Sequence, residues 1–294
     1  MNDVEVPAVQ RLSWSVRREL WENRSIYLAP LSVAGLVLVG FSISLFTLPS
    51  RTRAALTLSE PALRQAIEQP YLIVSIILMA VDLFVAVFYC QDALYGDRRD
   101  RSVLFWKSLP VSDLMTVLSK ASIPILVLPL VTFVATVATQ TVMLLAGSAV
   151  LAASGMSPSI LWSHVSLLDI SRINFGHLVA FHGLWYAPFY AWLLLASAWA
   201  PRVPFLWAAL PPVAIGVIER IAFNSTHFAT LVMHYFLGGG EMTPGAGAPP
   251  MTMEMLTPHP LGQLLISPAL CAGLALSAVF LLGAVRLRRV RGAI

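Results

Sequence analysis

The sequence predicts an all-α integral membrane protein: a single transmembrane domain over residues 1–294 with six membrane-spanning helices, an N-terminal amphipathic elbow helix and both termini in the cytoplasm. Composition is the first observation behind this. Hydrophobic residues fill 57% of the 294 positions and charged residues 12%, about half the charge share of an ordinary soluble domain. The second is that the charges cluster and leave bilayer-sized gaps. Ile26 to Leu48 carries no charge over 23 residues, which at about 1.5 Å of helical rise each crosses the roughly 30 Å hydrocarbon layer. The third is the side on which the basic residues fall.

In chain order, Met1 to Gln10 contains Asp3 and Glu5 and precedes an apolar run too long and too far in for a cleaved signal, so the first span is expected to be retained. Residues 11–23 form the elbow helix. Leu12, Val16 and Leu20 recur at i, i+4 and i+8, Arg11, Arg18 and Glu22 take another face, and Trp14 and Trp21 lie nearby. That pattern suits a helix lying flat on the inner leaflet, or one packing against protein. Spans follow at 26–48, 71–91, 121–150, 178–200 and 261–285, each an apolar run with polar flanks. A further span, 203–223, reaches bilayer length with Glu219 and Arg220 at the interface. Thr226 to Leu237 is apolar but ends in Gly238-Gly239-Gly240 and a Pro- and Gly-rich stretch, so 226–260 reads as an outer re-entrant or interfacial segment. Pro124, Pro129, Pro211 and Pro212 are expected to kink or interrupt their helices.

Charge asymmetry supports this count. With six spans, 14 of the 19 Lys and Arg residues are cytoplasmic, from Arg11, Arg17, Arg18 and Arg24 to Arg286, Arg288, Arg289 and Arg291. Seven spans would move the last four outside, against the preference of short cytoplasmic loops for basic residues. The net charge of +4 is then explained by topology and by attraction to anionic lipid headgroups, and implies no nucleic-acid partner. Short loops point to a multi-pass protein of a bacterial inner (plasma) membrane. Cys90 and Cys271 lie in apolar runs without a CxxC partner and are expected to be packing residues, not a disulfide or metal pair.

The connection between the second and third spans, 92–120, is the most distinctive segment. Asp97, Arg98, Arg99, Asp100 and Arg101 are almost pure mixed charge, and Leu104, Phe105, Trp106 and Leu109 follow before Pro110. A short helix offering those apolar side chains beside charges is shaped to dock into a groove on a soluble protein. A loop held inside by its arginines alone would not interleave acidic residues with them.

These residues, Asp97-Arg98-Arg99-Asp100-Arg101-Ser102 and then Phe105-Trp106-Lys107-Ser108-Leu109-Pro110-Val111-Ser112-Asp113, together with the elbow helix and six spans, resemble the permeases of ABC-2 type transporters. The resemblance covers the chain in topology and about 25 residues in recognisable sequence. It implies that 92–120 holds a coupling helix seated on a separate ATPase subunit, which binds ATP and Mg, and that two permease units surround one pathway, as a homodimer or with a related chain. It implies export of a substrate it does not identify. Independently, the chain has no Gly-x-x-x-x-Gly-Lys-Ser/Thr segment, and its only two lysines, Lys107 and Lys120, follow no glycine-rich loop. No cofactor and no enzymatic activity are expected of this chain itself.

Asp82 is the acidic residue near the middle of a span, where a charge costs roughly 2.5–3.5 kcal/mol. It reads either as a pathway-lining carboxylate or as an Asp that fixes helix packing, and no basic partner in another span is evident. The six histidines, His164, His177, His182, His227, His234 and His259, are placed mostly near the outer face without a metal-binding spacing. Two other classes stand beside the exporter: an ion-coupled carrier using Asp82, and a membrane-embedded enzyme. The second needs converging polar groups, and the acidic residues of the outer loops are scattered.

Overall fold

The computed structural model describes residues 7–100, 112–236 and 267–290. Among these every regular element is helical: α1 (Ala8–Glu22), α2 (Ser25–Ser44), α3 (Leu48–Ala55), α4 (Glu60–Arg99), α5 (Asp113–Ser122), α6 (Leu128–Ala153), α7 (Ser159–His164), α8 (Leu167–His177), α9 (Ala187–Trp199), α10 (Pro204–Phe223), α11 (His227–Phe236) and α12 (Pro268–Val290). A 3-10 turn, Leu45–Thr47, joins α2 to α3, and two π-helical segments, Ile123–Val127 and Leu178–Trp185, sit between α5 and α6 and between α8 and α9.

Five helical runs are long and apolar enough to cross a membrane, namely 25–55, 60–99, 113–153, 204–223 and 268–290. This is the build of a membrane-embedded chain. The fourth predicted span is not one straight helix: Leu167–Trp185 and α9 meet at a 45° bend and qualify only as a pair.

Helices outrun the boundaries read from the sequence. α4 starts at Glu60, not 71, and continues to Arg99, not 91; its 40 residues measure about 60 Å, twice the hydrocarbon layer. The expected loop 92–120 is therefore helical at both ends, and the connection between α4 and α5 shortens to 100–112. The physical reason lies in burial: Ala93, Leu94, Asp97 and Arg98 are all covered by neighbouring helices, so nothing there favours leaving the helix. On the other side Ser112 starts α5 by accepting the Met115 backbone N–H at 3.2 Å, which satisfies one of the open donors of a first turn.

The prolines act differently from one another. After Pro124 the ladder widens to a π turn, with the Leu128 N–H reaching Ile123 O. α10, by contrast, runs unbroken through Pro211 and Pro212. Pro212 cannot donate to Ala208 O, and Trp192 Nε1 of α9 takes that place at 3.0 Å, so a neighbouring helix satisfies the freed carbonyl.

Two buried cores lie along α4. One gathers Leu63, Ile67, Tyr71, Leu78, Leu144 and Ile170 toward its N-terminal end, with α2, α6, α7 and α8. The other gathers Ala86, Tyr89, Cys90, Ile123, Tyr190 and Leu194 toward its C-terminal end. α1 belongs to this second core: Val16 and Leu20 pack against it, while Trp14 and Trp21 stay exposed. Its apolar stripe is thus spent on protein. Cys90 is buried as expected, whereas Cys271 is exposed.

Candidate functional site

Chemistry-bearing side chains collect at two levels of α4. The first is the C-terminal end, where α1, α4, α5 and α12 meet. Glu19 of α1 is wholly buried and accepts from the Tyr89 hydroxyl at 2.9 Å and from Arg18 at 2.7 Å. Lys120 of α5 lies 3.1 Å from Glu19 and 3.4 Å from Asp97. Arg288 of α12 grips Asp97 at 2.8 Å and Asp113, at the start of α5, at 3.1 Å. Arg98 donates to the carbonyls of Ser197 and Ala200 at the end of α9. Ser197 returns the contact: its hydroxyl donates to Gln91 O at 2.8 Å and accepts from Leu94 N and Tyr95 N. Buried charges are retained where they are paired and hydrogen-bonded, and removing one partner of such a set is costly.

Beside this network, Glu22 on α1 is half-covered. Burial raises its carboxyl above the ordinary value, with Arg18 pulling the other way. Arg99 and Asp100 face outward and pair at 2.9 Å, and the Arg99 hydrogen bond holds the Asp100 carboxyl below its ordinary value.

The second level is the middle of α4. Asp82 is wholly buried and accepts from the Thr132 hydroxyl of α6 at 2.9 Å. Its other oxygen lies 2.9 Å from Nδ1 of His182 in the second π segment. The absence of a basic partner expected from the sequence is corrected here: His182 is that partner, set inside the bundle and not at an outer interface. Two π segments frame the pair. Gly183 packs so tightly on the first that a Cβ there would stand 2.7 Å from Ile125 O, a backbone approach that glycine alone permits. Single π turns recur at functional sites.

From Asp82 toward the N-terminal end of α4, buried polar groups continue. Ser75 accepts from Gln140 Nε2 at 2.9 Å and from Asn174 Nδ2 at 3.0 Å, and Gln140 also donates to Tyr71 O. Gln140 Oε1 and Asn174 Oδ1 are buried without a hydrogen-bond partner among the described residues, as is the Tyr190 hydroxyl. On another side, α4, the second π segment, α9, α10, α11 and α12 line a half-open cavity of about 920 Å³ that is mostly apolar and aromatic, with Trp185, Trp192, Phe205 and Phe280 among its walls. That volume suits a small molecule or a lipid chain.

Of the residues predicted to dock a partner, Asp97 and Arg98 turn inward into the ion network, and Arg99 and Asp100 are exposed. Arg101, Leu104, Phe105, Trp106 and Leu109 lie outside the described residues. Sequence reasoning placed Asp82 and missed its partner His182, and it missed Glu19, Lys120 and Arg288 as members of one network. No group of three or more metal-ligating side chains occurs among the described residues. The chain matches no family model, no curated protein and no solved structure.

Proposed function

We propose that this chain is the membrane subunit of an ATP-driven exporter of the ABC-2 type, with ATP and Mg bound by a separate ATPase subunit that docks on the connection between α4 and α5. Counting α8 to α9 as one bent crossing gives six spans with both termini on the same, basic and therefore cytoplasmic, side of a bacterial inner membrane. α1 is then the elbow helix, and a second permease unit completes the pathway.

The observation that carries this reading is the buried ion network at Asp97 and Asp113, the points from which the α4–α5 connection leaves and returns. Glu19, Asp97, Lys120 and Arg288 tie α1, α4, α5 and α12 together. A push on residues 100–112 is therefore passed to four helices at once, through contacts that resist separation because each would strand a buried charge. Such a joint suits a coupling element that receives force from a partner. The apolar cavity beside α9 to α12 suits a lipophilic cargo.

The test is co-expression of the full chain with candidate ATPase subunits, followed by purification in detergent. An ATPase that co-elutes with the wild type and is lost from the Phe105→Ala/Trp106→Ala variant, with the variant's thermal stability unchanged, supports the reading. A chain that retains substrate transport without any nucleotide-hydrolysing partner overturns it. That second result would favour an ion-coupled carrier, for which the buried Asp82–His182 pair is the supporting observation.

A further inference from the structure

We propose that Asp82 and His182 form an exchangeable proton-binding site inside the membrane, continuous with a line of buried polar groups that runs toward the N-terminal end of α4. The inference is independent of the exporter reading. It starts from charge. With the Asp82 carboxylate beside neutral His182 the pair carries one net negative charge, wholly buried in the apolar layer; one proton taken from water makes it neutral. The proton occupancy of the pair therefore decides whether a net charge is buried there.

Hydroxyl and imidazole groups lie around Asp82. Thr132 faces it from α6 and His182 from the second π segment. Tyr190 of α9 stands within electrostatic range, with a buried hydroxyl that has no hydrogen-bond partner among the described residues. Behind His182 lie the rings of His177 and Tyr186, at 5.8 and 5.7 Å. None of these supplies a fixed positive charge to hold Asp82 permanently ionised.

The track has a direction. α4 and α6 run antiparallel here, since Asp82 meets Thr132 and Ser75 meets Gln140. Thr136 and Thr139 lie between those two contacts, both buried, with hydroxyls donating backward along α6 and keeping free lone pairs. Gln140 Oε1 and Asn174 Oδ1 complete the line as acceptors unpartnered among the described residues, the kind of buried group that ordered water satisfies in proteins. From Tyr71 to Asp82 the track covers about 16 Å, half the hydrocarbon thickness. On the other side of Asp82, Ala86, Ile123, Leu128 and Leu194 are fully buried apolar neighbours, and the Tyr190 hydroxyl and Gln91 Oε1 on that side are buried without a hydrogen-bond partner among the described residues. The line of buried polar groups thus leads from Asp82 toward the Tyr71 end of α4.

The test is infrared pH-difference spectroscopy on the full chain in lipid nanodiscs, between about pH 5 and pH 8, the range in which histidine changes charge. The wild type should show a carboxylic-acid carbonyl band lost in Asp82→Asn, or an imidazolium ring signal lost in His182→Gln, according to which member of the pair holds the proton. Transfer to deuterated buffer should shift that signal, and Gln140→Leu with Asn174→Leu should slow the shift tenfold or more. Should Asp82→Asn fail to fold, Thr132→Val keeps both titrating groups while removing one hydrogen bond, so the same signal must be present and displaced. Difference spectra with neither a carboxyl band nor an imidazolium ring signal from the pair, or with those signals unmoved in Thr132→Val, would overturn the site. A signal whose exchange ignores the double leucine variant would overturn the track.

Discussion

Lys120→Met tests whether the ion network is a buried joint. The side chain is kept in length and the charge is removed. Lys120 Nζ lies 3.1 Å from Glu19 and 3.4 Å from Asp97, and all three residues are buried. Breaking a buried ion pair by deleting one partner costs about 3–5 kcal/mol. The lower end applies here, because Glu19 keeps Arg18 and Tyr89, and Asp97 keeps Arg288. A loss of about 3 kcal/mol should lower the unfolding temperature by roughly 6–12 °C at ~2–4 °C per kcal/mol for a chain of this size.

The matched control is Arg64→Ala, which breaks the Arg64–Glu68 pair; its arginine is 63% exposed, and a pair of that kind is worth at most about 0.5 kcal/mol. Both variants are measured by thermal unfolding in the same detergent. Adding Glu19→Gln to Lys120→Met removes one of the stranded carboxylates and should recover about 1 kcal/mol, within the coupling range expected of residues in one network. If Lys120→Met unfolds within about 2 °C of Arg64→Ala, a difference of less than roughly 1 kcal/mol, the joint is not held by buried charge and the coupling argument built on it fails.

Three further outcomes follow from particular contacts. Gly183→Ala should destabilise by about 1–3 kcal/mol, the cost of overpacking, because its Cβ would meet the fixed carbonyl of Ile125; Gly216→Ala, with open space around it, should be neutral or stabilising by up to ~1 kcal/mol, and equal effects of the two in thermal unfolding would refute the close approach. Ser197→Ala removes the hydroxyl that bonds Gln91, Leu94 and Tyr95 and should cost about 1–3 kcal/mol, with faster hydrogen exchange at the Leu94 and Tyr95 amides as the local readout. For Glu22, burial raises the folded-state carboxyl value, so folding favours the protonated form. Its contribution is present below the ordinary value of 4.5 and is lost as pH rises through the raised one. Glu22→Gln should therefore flatten the stability curve across that window, and an unchanged slope would refute the burial argument.

The long apolar helices were legible because they follow the places where charges are missing for a bilayer's width; five are long and apolar enough to cross a membrane, and a further stretch qualifies only as a bent pair. Side-chain pairing was not legible, because it depends on which faces meet. Asp82 stood out as a charge in an apolar run, yet His182, flanked by Ala180, Phe181, Gly183 and Leu184, was an equally unusual intramembrane group, and such groups tend to pair with one another. Glu19 carried a similar signal. It lies between Val16 and Leu20 on the apolar side of α1, so it had to be either exposed at a cost or paired inside. Lys120 and Arg288 were explained by topology, and that sufficient explanation hid their partners. The ends of α4 were misjudged because Asp97 and Arg98 look like loop residues until α9 and α12 are placed beside them.

Taken together, the contacts of α4 constrain how the bundle can move. Its partners grip it at Ser75, at Asp82 and at Asp97, over a length of about 33 Å, and each grip involves a buried polar group whose loss is expensive. Sliding or rotating α4 alone would break all of them, so α4 moves with α6 and the ion network as one body. The second π segment is different. Its wide turn holds one residue more than an α turn would, and converting it would shift the following helix by about 1.5 Å along its axis. That shift would act on His182 and not on Thr132, separating the two partners of Asp82. The two hydrogen bonds of Asp82, to Thr132 and to His182, therefore cannot both survive that conversion, so the place where the helix ladder is loosest lies beside the buried carboxylate.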